Sequence, residues 1–131
     1  INLTANYHLI RAMDPLLRRS TAGRAVFMTS GATHARAYGG PYSTSKAALN
    51  VLARTYAAET DSTPVRVNVF NPGPTRTRMR AQVMPGEDPM TLPTPEEVAE
   101  TIVPLCLPSC TATGKLYDYP AGKFLDFAQP A

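Results

Sequence analysis

Two short runs rich in β-branched and aromatic residues, Arg24–Thr29 and Val65–Phe70, constrain this chain more than anything else in it. Ser20-Thr21-Ala22-Gly23 and Ser30-Gly31 bound the first, and Asp61-Ser62-Thr63-Pro64 and Asn71-Pro72-Gly73-Pro74 bound the second, so both read as strands closed by turns. The segment between them is too long for a hairpin. It carries Leu49, Leu52, Ala53, Tyr56 and Ala57 on one side of a helix expected over about 42–60. Parallel neighbours need such a helical crossover, so the two strands are expected side by side and parallel, with the first one buried. A helix is expected before them, over 2–19, with Leu3, Tyr7, Ile10, Met13, Leu16 and Leu17 as one apolar stripe and Pro15 disturbing its last turns. After them, residues 79–93 show no period and read as a long loop. Thr94-Pro95-Glu96-Glu97 starts a helix over 95–106, and Gly114–Tyr119 is a third strand. Strands alternating with helices imply an α/β fold with a parallel sheet, expected as a single domain over residues 1–131.

Composition excludes several function classes. The chain is 44% hydrophobic and 18% charged, and it has no apolar run near the ~18 residues that span a bilayer. No secretory leader is visible, so a cytoplasmic protein is expected. The net charge of +3 is spread along the chain and argues against nucleic acid. Only Arg76, Arg78 and Arg80 cluster, and they are expected in a solvated loop. Cys106 and Cys110 have no nearby ligand to complete a metal site and read as small buried hydrophobes at the end of a helix. His8 and His34 read as surface residues. The chain has no initiator Met and opens within a helical pattern, so a piece of something longer is expected.

The chemistry concentrates in Gly39-Gly40-Pro41-Tyr42-Ser43-Thr44-Ser45-Lys46. Residues four apart share one helix face, which sets a phenol beside an ammonium. A Lys⁺ beside a Tyr hydroxyl favours the phenolate, so Tyr42 is a candidate general acid/base. The same spacing also occurs on ordinary surface helices, and context decides. In parallel sheets ligands bind at the carboxyl ends of the strands, and that is where Ser30 and Asn71-Pro72-Gly73 fall.

With Tyr42-x-x-x-Lys46, the strand-end Ser30, Pro72-Gly73 followed by Thr77, and Asn2 on the first helix, the chain resembles the C-terminal half of a short-chain dehydrogenase/reductase. The resemblance runs over nearly all of residues 1–119. It implies a partial Rossmann-like three-layer fold and an oxidoreductase that moves a hydride between NAD or NADP and a carbonyl or alcohol substrate. The catalytic residues it implies are Asn2, Ser30, Tyr42 and Lys46. Tyr42 would exchange the proton, Lys46 would support it and bind ribose, Ser30 would hold the substrate oxygen, and Asn2 would hold a water. The cofactor contacts it implies are Tyr42, Lys46, Pro72, Gly73, Thr75 and Thr77. Met79, Met84 and Met90 would suit an apolar substrate lid.

Two features depart from the family. Ser30 stands one residue closer to Tyr42 than usual, with Thr29 as the other candidate. The Gly-rich phosphate-binding turn is absent, so the pyrophosphate and adenosine would find no partners on these residues alone. The resemblance also implies self-association through helices 2–19 and 42–60. A non-catalytic module that acts only by self-association is the alternative reading.

Overall fold

The computed structural model describes residues 1–35 and 37–127. Its sheet has the order β1 (Arg24–Met28), β2 (Arg66–Asn71), β3 (Leu116–Asp118), β4 (Lys123–Leu125). β1 runs parallel to β2, with Phe27 opposite Val69, and β2 runs parallel to β3. β4 returns antiparallel to β3. Helices α1 (Thr4–Arg19) and α2 (Gly40–Glu59) come before β2, and α3 (Arg78–Val83) and α4 (Pro95–Ile102) follow it.

Strand alternation divides the core between the two faces of the sheet. Phe27, Val67 and Val69 point to one face, where Leu49, Ala53, Tyr56 and Ala57 of α2 cover them together with Ile10 and Leu17 of α1. Phe70 points to the other face and packs with Val98 of α4, Leu105 and Tyr117. Asn68 shares that second face at only 2% exposure. Its carboxamide donates to Ala112 O at 2.8 Å and accepts from Lys115 N–H at 3.2 Å, so a buried polar group is satisfied by steering the approach to β3.

Several sequence expectations are corrected. β1 has the composition of a buried strand but lies at the edge of the described sheet, as absence of the family's N-terminal half implies: Phe27 is its one buried residue and Met28 is 41% exposed, with no described strand on its far side. Residues 79–93 are not a structureless loop, since α3 and a 3-10 turn at Pro89–Thr91 lie within or across them. The expected 95–106 helix is α-helical only to Ile102 and tightens into a 3-10 turn, Val103–Cys106. Cys106 is exposed and Cys110 half-buried, so neither is a core residue. α1 keeps Pro15 inside it without ending, and none of its residues is fully buried. Ile10 and Leu17 face the core, while Leu9, Met13 and Leu16 form an exposed apolar face.

α1 is fastened to α2 by a polar clasp. The Tyr56 hydroxyl donates to Asp14 Oδ1 at 2.9 Å, and Arg18 Nε donates to the same carboxylate at 2.8 Å. Burial and then the Asp14 bond push the Tyr56 phenol up from 10.0 to about 12. An acid whose folded pKa is raised keeps its stabilising effect below the unfolded value and loses it as pH climbs to the folded one. Tyr56→Phe is therefore expected to cost about 1–3 kcal/mol at pH 8, and to show less further loss than the native chain between pH 10 and 12. Urea unfolding across that range checks both.

Candidate active site

α2 starts at the mouth of the sheet because Gly39-Gly40-Pro41 breaks the preceding loop, and Pro41 sits in the first turn, where a missing N–H costs nothing. One turn inward, Tyr42 is 41% exposed and Lys46 is half-buried. The Lys46 ammonium lies 6.0 Å from the centre of the Tyr42 ring and donates to Met28 O, at the end of β1, at 2.7 Å. Burial holds the Lys46 ammonium below the usual lysine value.

The two hydroxyls after β1 have different fates. Thr29 is 3% exposed, and its side chain donates to Asn50 Oδ1 on α2 while its N–H donates to Phe70 O. Ser30 stays half-buried, and its Oγ accepts from Ala32 N–H at 3.1 Å. Asn2 lies just ahead of α1, and its amide donates to Ser45 Oγ at 3.0 Å. Ser45 in turn donates to Tyr42 O at 2.8 Å. Asn2 is thus joined to the turn of α2 that carries Tyr42 and Lys46, through a serine that the sequence reading passed over.

At the end of β2, Asn71 organises the Pro72-Gly73 turn. Its side chain accepts from Gly73 N–H at 3.1 Å and donates to Asp118 Oδ1 at 2.6 Å. Gly73 has φ +64, and a Cβ there would stand 2.5 Å from Pro120 Cγ, so glycine is required on both counts. Thr75 donates to Gly73 O at 3.3 Å, and Thr77 caps α3 by accepting from Arg80 N–H at 3.1 Å. The sequence placed Asn71 at this strand end without giving its side chain a role, and it passed over Asp118; together they hold the turn.

The arginine group is not a solvated cluster. Arg76 donates to Pro89 O at 2.8 Å and Leu92 O at 3.0 Å, and Arg80 grips Glu87 with two bonds of 2.6 and 2.7 Å. The Arg80 guanidinium holds the Glu87 carboxyl below its usual range. Only Arg78 is exposed. These braces fold the segment around a cavity of about 230 Å³ that Thr77, Met84 and Leu92 help to line; Tyr42, Lys46 and Ser30 do not line it. Met79, Met84 and Met90 are all exposed on this unit.

Comparison with known proteins adds the family. The short chain dehydrogenase sequence profile matches residues 1–88. An uncharacterized oxidoreductase of Escherichia coli K12, YciK, is 39% identical over 129 residues, covering 94% of this chain and 49% of that protein. A tropinone reductase homolog of Arabidopsis thaliana is 34% identical over 120 residues, covering 84% of this chain and 45% of that protein. Among solved structures, a short chain dehydrogenase from Salmonella enterica superposes with a TM-score of 0.85 at 39% identity, over 90% of this chain and 49% of that one. A candidate short chain dehydrogenase from Escherichia coli CFT073, complexed with NADPH, superposes at 0.84 with 38% identity, over 90% of this chain and 50% of that one. The chain therefore spans about half the length of the relatives it matches. It has a Rossmann-like half-domain with Tyr42 and Lys46 at the carboxyl end of its parallel strands, and it belongs to the short-chain dehydrogenase family.

Proposed function

We propose that this chain carries the proton-transfer half of an NAD(P)-dependent oxidoreductase acting on a carbonyl or alcohol. The observation that carries the reading is that Lys46, beside Tyr42 on α2, reaches the main chain of Met28 at the end of β1, two residues before a Ser30 whose neighbouring hydroxyl, on Thr29, is committed to Asn50. Tyr42 donates its proton to the substrate oxygen in reduction and accepts it back in oxidation. Lys46 supports the phenolate by its charge, and Ser30 donates a hydrogen bond to the oxygen as charge develops there. Asn2, through Ser45, fixes the turn that carries Tyr42, which supports the role the family resemblance gives it, holding a water that serves Lys46.

The residues present fit the nicotinamide end of a dinucleotide. Lys46 offers donors to ribose, and the left-handed Gly73 turn with Thr75 and Thr77 offers main-chain and hydroxyl groups to a carboxamide. The cofactor supplies the hydride. No Gly-rich phosphate-binding turn occurs in these 131 residues, so the pyrophosphate and adenosine belong to a longer protein of family length. NADPH is the first cofactor to test, because two structural neighbours are complexed with NADPH or NADP.

In that longer protein, Ser30→Ala is expected to lower kcat about 10²-fold or more with little change in the unfolding midpoint, as loss of an oxyanion donor does. Thr29→Ala is expected to do the reverse and lower stability by about 1–3 kcal/mol. NADPH consumption and urea unfolding separate the two; equal effects on kcat remove the assignment of Ser30.

The second reading, an associating module, is favoured by the exposed face of Leu9, Met13 and Leu16. We assign that face to a two-fold contact between α1 and α2 of two copies. Light scattering at micromolar concentration is expected to give a homo-oligomer, most simply a dimer. Leu9→Glu combined with Leu16→Glu is expected to return the monomer. Association with full catalytic loss in a longer chain would favour the module over the enzyme.

A further inference from the structure

The turn assigned to the nicotinamide carboxamide is held by groups from the far end of the chain. Asn71 closes β2 at 7% exposure, and both ends of its amide are used. Its Oδ1 accepts from Gly73 N–H at 3.1 Å, and its Nδ2 donates to Asp118 Oδ1 at 2.6 Å. The second carboxylate oxygen, Asp118 Oδ2, accepts from Ala121 N–H at 3.1 Å. The main chain joins the same two turns, with Tyr119 N–H donating to Asn71 O at 2.9 Å. Pro120 stands so close to Gly73 that a Cβ there would lie 2.5 Å from its Cγ.

Charge decides how Asn71 lies. An ionised carboxylate accepts hydrogen bonds and donates none, so Asp118 can face only the nitrogen end of the Asn71 amide. The oxygen end is thereby turned to Gly73 N–H. Such a support has to be fixed itself, and two strands of three residues hold little alone. Phe124 meets Tyr117 edge-on with ring centres 5.1 Å apart. Phe127 packs on the core under α2, with the Arg54 guanidinium 4.6 Å above its ring. The β3–β4 hairpin therefore runs from the turn at the end of β2 to the helix that carries Tyr42 and Lys46.

We propose that Asp118 is a positioning residue for the nicotinamide. Through Asn71 it ties down Gly73 N–H, and so sets the main chain that follows Gly73 where a carboxamide would meet it. The use of the turn rests on the function proposed above; the setting of the turn by Asp118 stands without it.

The test is an exchange of the two side chains. Asn71→Asp alone turns two carboxylates on each other, and Asp118→Asn alone leaves one donor of the set without an acceptor. Asn71→Asp combined with Asp118→Asn restores all three bonds with the polarity reversed, since residue 71 then accepts from Gly73 N–H and from the amide at 118, whose oxygen accepts from Ala121 N–H. In the 131-residue chain, each single variant is expected to speed hydrogen exchange at the Gly73 amide about ten-fold, and the combined variant to return it to the native rate. In a protein of family length, Asn71→Asp is expected to lower kcat about 10²-fold and Asp118→Asn about ten-fold, as small misplacements of a reacting group do. The combined variant is expected to recover kcat to within about three-fold of native, with the NADPH dissociation constant changing less than kcat throughout. Native kcat in both single variants, or a combined variant no better than Asn71→Asp, overturns the proposal. So does a fall in the urea midpoint with kcat intact, which would mean that the pair serves the fold alone. Should Asn71→Asp fail to fold, Asp118→Asn and the combined variant give the same decision. Gly73 exchange reads the setting of the turn even where no ketone is turned over, so failure of the catalytic reading is told apart from failure of this one.

Discussion

Replacing Tyr42 by Phe in a protein of family length is expected to lower kcat by roughly 10²- to 10⁴-fold while leaving the NADPH dissociation constant nearly unchanged. The substitution removes one hydroxyl from a side chain that is 41% exposed at the opening of α2, so the fold has little to lose. The ring that faces the Lys46 ammonium at 6.0 Å stays in place. What disappears is the hydroxyl proposed to pass a proton to the substrate oxygen. A variant that bound NADPH normally and retained wild-type turnover would show that the proton comes from elsewhere, with Ser30 the next group to examine. NADPH titration and steady-state kinetics on one preparation separate the two quantities.

Phe70→Ala is expected to be the most damaging single change to the fold, costing about 3–5 kcal/mol out of a total of about 5–15. Phe70 is fully buried, stacks on Tyr117 with ring centres 5.6 Å apart, and meets Tyr119 at 6.5 Å. It joins β2 to α4 through Val98 and to the turn through Leu105. It is also the residue before Asn71-Pro72-Gly73. A cavity at Phe70 therefore loosens the turn assigned to the nicotinamide carboxamide as well as the core. The urea midpoint checks the stability loss, and Phe70→Leu is expected to recover much of it, because most of the apolar volume returns.

The parts of the molecule that were legible in the sequence are those set by local rules. Tyr42 and Lys46 lie where the period and Pro41 place them, one turn apart on α2. The Thr94 cap forms as expected, and the structure adds a reciprocal box with Glu97, with Thr94 N–H donating to the Glu97 carboxylate at 2.6 Å. What stayed hidden depends on partners far along the chain. Arg76 and Arg80 look like solvated charges until Pro89, Leu92 and Glu87 are brought around them. α3 has no apolar stripe and holds through its Thr77 cap, so no period announces it. β4 is three residues long and mostly exposed, and pairing with β3 makes it a strand. β1 has the composition of a central strand, and the family resemblance, through the half that is absent, rather than its own residues marked it as an edge. The choice between Thr29 and Ser30 was open in the sequence for the same reason; Asn50, on the next helix, accounts for Thr29.

The central claim is that Tyr42, Lys46 and Ser30 pass a proton to a carbonyl that receives a hydride from the nicotinamide. The most direct measurement follows deuterium from NADPH labelled at the transferring carbon, mixed with a protein of family length and a small panel of ketones, with the products read by mass spectrometry. The account predicts deuterium on the carbinol carbon of at least one product, delivered from one face of the nicotinamide only, and loss of that label when Tyr42 is replaced by Phe. Labelled alcohol appearing at the native rate from the Tyr42→Phe protein, or NADPH bound tightly with no deuterium reaching any ketone, would contradict it.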